Sequence, residues 1–164
     1  YRPWFASGIE PTMRFVLDTS VLIDYLRDEE IAASAVIVAS SRGSIFVPQI
    51  SLMELYGFQH RSNADIEREV RSIQALVQTY GLRFVPCSQA AQKWAFEIMK
   101  AFRSPLGRNA LPDALIIGTG IAYRGWLVTS DRHWAQIAKE NEQRKLLSIR
   151  LKVLSPVELV QRFG

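Results

Sequence analysis

The chain has 164 residues, 48% of them hydrophobic, with 20 Lys and Arg against 16 Asp and Glu for a net charge of +4. That length and composition suit one domain with a real core and exclude a disordered chain, while the single cysteine, Cys87, excludes a disulfide-built fold and suits a reducing compartment. The longest apolar run, residues 31–39, falls far short of the roughly 20 needed to cross a membrane, so a soluble, cytoplasmic protein is expected.

Residues 1–12 (YRPWFASGIEPT) show no periodicity and read as a tag or upstream extension, leaving 13–164 as the domain. From Met13 on, short β-rich runs alternate with longer helical ones. A buried strand over 14–17 is followed by helices over 20–27 and 30–41. A second strand, 44–47, stops at Pro48, which opens a helix over 50–60. Asn63 caps a long helix over 64–80, closed by Gly81. A third strand over 82–85 precedes Ser88, the cap of a helix over 89–102 with the apolar stripe Ala91, Trp94, Ala95, Ile98 and Phe102. Residues 103–109, with Ser104, Pro105 and Gly107, read as a loop. A helix over 110–123, a strand over 126–129 and a helix over 132–139 come next. Residues 147–153 alternate in strand fashion, and 156–162 form a last helix. Strands separated by helices imply a central parallel sheet flanked by helices, a three-layer α/β/α sandwich. Ligands of such sheets sit beyond the carboxyl ends of the strands.

The informative feature is where single charges interrupt apolar runs. Asp18 is the only charged residue between Arg14 and Asp24, in FVLDTSVLI. Glu54 lies in VPQISLMELYGF, Asp113 in ALPDALIIGTGIA, and Asp131 closes GWLVTSD. A buried carboxylate without compensation costs several kcal/mol. Asp18 and Asp131 directly follow strands, whereas Glu54 and Asp113 are placed in first turns of helices. Sharing one rim, the four would repel one another, and a divalent cation would remove the repulsion. Oxygen ligands without His or Cys favour Mg²⁺ or Mn²⁺ over zinc. Each aspartate also has a plainer role, Asp18 and Asp131 as helix N-caps and Asp113 beside Pro112 at a helix start. Glu54 has no such role.

These segments resemble the PIN domain, and most closely the VapC-like toxins of bacterial and archaeal toxin–antitoxin pairs, over nearly all of 13–163. MRFVLDTSVLIDYLR is similar to the family's opening strand and helix and matches its first acidic ligand at Asp18. PQISLMELYG matches the second at Glu54, LPDALIIGTGI the third at Asp113, and LVTSDRHW the fourth at Asp131. The resemblance implies divalent-metal endonuclease action on single-stranded or loop RNA, a homodimer, and a cognate antitoxin. It also implies polar support for the acids from Ser20 and Thr129. One departure stands out. Where many members carry a further acidic residue two positions past the fourth ligand, followed by Phe, this chain has His133 and Trp134.

On this reading Asp18 and Asp113 are the principal ligands, completed by Glu54 and Asp131 directly or through water. By position, Arg103, Arg108 and Arg132 are candidates to hold the RNA backbone, since a guanidinium bonds phosphate oxygens in pairs. The aromatics Trp94, Phe96 and Phe102 are expected at a dimer interface. The rivals are a housekeeping RNA-processing nuclease with the same motifs, a catalytically silent RNA- or protein-binding module, and a metal-free nuclease using His60 and His133. An aspartyl-phosphate fold fits poorly, because position 20 is Ser where a second Asp is needed.

Overall fold

The computed structural model describes residues 13–57, 62–107 and 110–164; residues 1–12, read above as a tag or upstream extension, and His60 and Arg108 lie outside them. In chain order the elements are β1 (Met13–Leu17), α1 (Thr19–Leu26), α2 (Glu30–Arg42), β2 (Gly43–Pro48), α3 (Gln49–Tyr56), α4 (Asn63–Tyr80), β3 (Arg83–Val85), α5 (Gln89–Leu106), α6 (Ala110–Ala122), β4 (Trp126–Val128), α7 (Arg132–Arg144), β5 (Val153–Leu154) and α8 (Pro156–Phe163). The strands form one sheet in the order β3-β2-β1-β4-β5, every pairing parallel.

Because side chains alternate along a strand, β1 feeds two cores. Phe15 and Leu17 pack with Val21, Val36, Leu76 and Leu159 on one face, while Val16 packs with Ile98, Ile117, Leu127 and Trp134 on the other. Both faces are covered, as parallel sheets require, so the three-layer α/β/α expectation holds. The chain runs outward from β1 through β2 to β3, then crosses back to β4 on the other flank of β1. The crevice past the carboxyl ends of β1 and β4 is therefore the topological switch point of the sheet.

Four local expectations change. The cap of α4 is Ser62, not Asn63: Ser62 Oγ accepts from the Asp65 amide and Asp65 accepts from the Ser62 amide, a reciprocal capping box. Residues 103–106 are helical rather than loop. Phe102 breaks the ladder (φ −131°, ψ 22°), so Pro105 falls in a restarted first turn, where a missing N–H removes no bond. Only the end of the anticipated strand over 147–153 joins the sheet, as β5. Before it, the Asn141 side chain takes the Leu147 amide and donates to the Ile149 carbonyl, so the alternation there reflects burial against α7. Glu54 sits in the second turn of α3, not the first.

Helix α6 is set close against α5 by Gly118. A Cβ there would lie 2.3 Å from the Ala91 carbonyl oxygen and 3.0 Å from the Ala95 amide nitrogen. That close approach fixes the helix that carries Asp113.

Candidate active site

The end of β1 is tied to the end of β4 by the Asp18 amide, which donates to the Val128 carbonyl at 2.9 Å. Asp18 is 6% exposed, and both its oxygens are held. Oδ1 accepts from the Thr19 amide (2.7 Å), and Oδ2 from the hydroxyls of Ser20 (2.7 Å) and Thr129 (2.8 Å). Burial raises the Asp18 pKa, opposed but not cancelled by these hydrogen bonds.

Glu54 reaches this centre from α3 through Thr19, whose Oγ1 donates to Glu54 Oε2 at 2.5 Å. Partial burial, with the Asp18 charge added, raises the Glu54 pKa despite that bond. Asp131 caps α7, its Oδ1 accepting from the His133 amide and facing His133 Nδ1, each at 2.8 Å. Its own amide donates to Thr129 Oγ1 at 3.0 Å. One threonine hydroxyl thus links the first acid to the fourth.

Asp113, in the first turn of α6, differs from the others. Among the described residues it has neither a hydrogen bond nor an ion pair. Burial pushes its pKa up to about 7, reinforced by the charges of Asp18, Glu54 and Asp131. Electrostatically, then, the four carboxylates form one group. Among the described residues no Arg or Lys pairs with any of them.

As placed, no three acidic, His or Cys side chains among the described residues converge closely enough to ligate one ion. The donor chemistry nonetheless suits a hard divalent cation. Four carboxylates stand without an Arg or Lys partner among the described residues, and burial together with like-charged neighbours holds the pKa of one of them at about 7. A shared cation would need the side chains of Glu54, Asp113 and Asp131 to draw toward Asp18.

The PIN domain family model matches residues 15–140. The chain belongs to the PIN domain family.

Solved structures share this PIN fold at low identity. VapBC2 from Rickettsia felis, bound to a fragment of promoter DNA, is 17% identical with a TM-score of 0.67, covering 87% of this chain and 98% of that one. A toxin–antitoxin complex from Klebsiella pneumoniae is 22% identical with a TM-score of 0.61, covering 86% and 96%. VapBC-1 from nontypeable Haemophilus influenzae is 16% identical with a TM-score of 0.60, covering 88% and 99%. No curated protein matches the sequence.

The remaining candidates divide. Ser20 and Thr129 both touch Asp18 in this PIN domain. Arg132 opens α7 beside Asp131 and is exposed, as is Arg103 after the Phe102 kink. Of the aromatics assigned to an interface, Phe102 is fully buried in this chain's own core, which corrects that expectation. Trp94 is half-buried against the same core, and Phe96, on the far side of α5, is 63% exposed.

Three contributors went unread in the sequence. Thr19 bridges Asp18 and Glu54. Ser130 donates its amide to Ser20 Oγ (3.0 Å) and its hydroxyl to Asp24 Oδ2 (2.6 Å). Asp24 thereby fastens the β4–α7 turn to α1. The adjacent DTS and TSD triplets were the available signal, since hydroxyl residues flanking isolated acids are natural donors to them.

Proposed function

We propose that this PIN domain is a Mg²⁺- or Mn²⁺-dependent endoribonuclease that cleaves single-stranded or looped RNA as the toxin of a toxin–antitoxin pair. The observation that carries the reading is Asp113, a part-buried carboxyl without a partner among the described residues, facing three like charges at the switch point of the sheet. Such a group destabilises the protein unless a cation or a proton neutralises it, and at neutral pH a cation does so while leaving the acid ionised.

Asp18 and Asp113 would hold the ion, with Glu54 and Asp131 completing the shell directly or through water. A bound divalent ion supplies acidity to water and positive charge opposite the scissile phosphate. The chain's own work is orientation. The Thr19 amide and the Ser20 and Thr129 hydroxyls hold Asp18 in one rotamer and favour its ionised form. Thr19 does the same for Glu54, and the Thr129–Asp131 contact sets the height of the fourth acid. Arg103, Arg108 and Arg132 are assigned to the RNA backbone. In-line attack at such a site leaves a 5′-phosphate and a 3′-hydroxyl.

A cognate antitoxin as partner is supported by the kind of structure that shares the fold, each a toxin–antitoxin assembly. A homodimer through the α5 face that presents Phe96 belongs to the same reading. Among the described residues no helix is long and apolar enough to cross a membrane.

RNA cleavage with Mn²⁺, with Mn²⁺ plus EDTA, and by Asp18→Asn tests the proposal. Cleavage by wild type alone, and only without EDTA, is expected. Equal activity of the two proteins, or cleavage that survives EDTA and yields cyclic phosphate ends, would end it. Growth arrest on expression, relieved by a neighbouring short open reading frame, separates the toxin role from housekeeping processing.

A further inference from the structure

At the opposite end of the sheet from the acids is a cavity of about 540 Å³. It opens where α6 ends and β4 begins. Its apolar wall includes Trp94, Ile121 and Leu127, its rim carries Arg124, Arg150 and Lys152, and among the described residues no acidic side chain lines it.

These cations are not consumed by the fold. The carbonyls that end α6 are already taken: Thr119, Gly120 and Ile121 accept from the amides of Tyr123, Gly125 and Arg124, and Tyr123 accepts from the Arg14 guanidinium at 3.1 Å. The Arg124 side chain has no hydrogen bond or ion pair among the described residues, and its backbone, with φ 54°, is the left-handed cap that ends α6. Arg150 meets Glu142 only at 3.4 Å and is 77% exposed. Lys152 lies over the Trp126 ring at 5.6 Å. Three cations from two separate segments around an apolar wall that contains an indole match a ligand carrying a flat base and more than one phosphate. Bases stack on aromatic side chains, and guanidinium and ammonium groups take phosphate oxygens.

We propose that this cavity is a second binding site for single-stranded RNA, one base stacking on Trp94 and flanking phosphates on Arg124, Arg150 and Lys152. The proposal rests on the reading of the protein as an RNA-acting enzyme. The cavity and the acids sit at opposite ends of β4, about 13 Å apart by strand rise from Gly125 to Thr129. An RNA strand engaged at both is held in one polarity between the two ends of the sheet.

The test is binding, without cleavage, of a labelled single-stranded RNA of about 12 nucleotides, a length within what one binding groove spans. Wild type is compared in EDTA with Arg124→Glu/Lys152→Glu, with Trp94→Phe and Trp94→Ala, and with a charge-matched control, Arg27→Glu/Arg83→Glu, both exposed and away from the cavity lining. The cavity pair is expected to bind roughly tenfold more weakly, with a salt slope shallower by about 1.4, or ~0.7 for each phosphate that is no longer neutralised. The control pair keeps most of the affinity. Trp94→Phe retains binding, and Trp94→Ala binds about fivefold more weakly. Should Trp94→Ala fail to fold, crosslinking of 4-thiouridine RNA decides the matter, the linked peptide being expected to contain Trp94 or residues 149–152.

Equal weakening by the two charge reversals overturns the proposal, as does a wild type that binds no RNA. Uridine monophosphate binding as tightly as the RNA overturns it too, because the site would then serve a free nucleotide. Parallel cleavage assays keep the two readings apart. Normal cleavage by wild type with unchanged RNA binding by the cavity pair sinks this site alone. Cavity-dependent binding by a protein that cleaves nothing sinks the nuclease and leaves the site.

Discussion

Thr129 Oγ1 lies 2.8 Å from Asp18 Oδ2, although 111 positions separate the two residues in the chain. The contact exists because β1 and β4 are neighbours in the sheet, with Val16 paired to Leu127 and Leu17 to Val128, so the first residues beyond each strand meet. The same hydroxyl accepts from the Asp131 amide. Thr129→Val is isosteric but removes this donor, leaving a buried carboxylate oxygen with one fewer partner. The expected result is a loss of about 1–2 kcal/mol in urea unfolding and at least tenfold in RNA cleavage, with Thr129→Ser restoring most of both. A valine variant with wild-type cleavage would show that this hydroxyl does not hold the site.

Asp113 provides the pH signature. Its pKa is about 7 in the folded protein against an ordinary value of 3.8. Between those values the folded state binds more protons than the unfolded state, so without divalent ions the carboxyl makes stability fall as pH rises from about 4 to 7 and adds no further slope above that. Asp113→Asn removes this slope. In EDTA at pH 7.5 the variant is expected to be more stable than wild type by about 1–2 kcal/mol, a figure discounted because the carboxyl is only part-buried and solvent screens it. The gap closes toward pH 4. Thermal unfolding at both pH values checks it, and parallel curves for the two proteins would contradict it.

Asp24 acts through Ser130 and is a positioning residue. With Asp24→Ala the Ser130 hydroxyl loses its acceptor on α1, and the turn that sets Thr129 and Asp131 is freed. The expected kinetic split is a several-fold fall in kcat with KM nearly unchanged. The stability cost is at most about 1 kcal/mol, since the bond lies at the surface. A change confined to KM would instead place Asp24 in RNA binding.

Gly118 gives a prediction about the scaffold. A valine there would press on the Ala91 carbonyl, which belongs to helix backbone and cannot swing away. Gly118→Val is expected to cost about 2–3 kcal/mol by overpacking, measured in urea, and to lower cleavage further than an equally destabilising change on α8, because α6 carries Asp113.

The sequence by itself determined the elements and the identity of the four acids. Strand periodicity, capping residues and glycine stops are local, and a lone carboxylate in an apolar run is visible without knowing what lies across from it. Some local readings still failed for want of tertiary context. The alternation over 147–153 reports burial against α7 through Asn141, not a ladder, and Pro105 is compatible with helix only because Phe102 has already broken the turn before it. What only the tertiary structure decided is which loops share one end of the sheet. The β3-β2-β1-β4-β5 order sets the residues after β1 beside those after β4, which turns Thr19, Ser130 and Asp24 from unremarkable polar residues into the frame of the acidic centre. The strand order also puts the three cations around Trp94 at the far end. Strand order follows from burying both faces of β1, a property of the whole packed chain that no single segment carries.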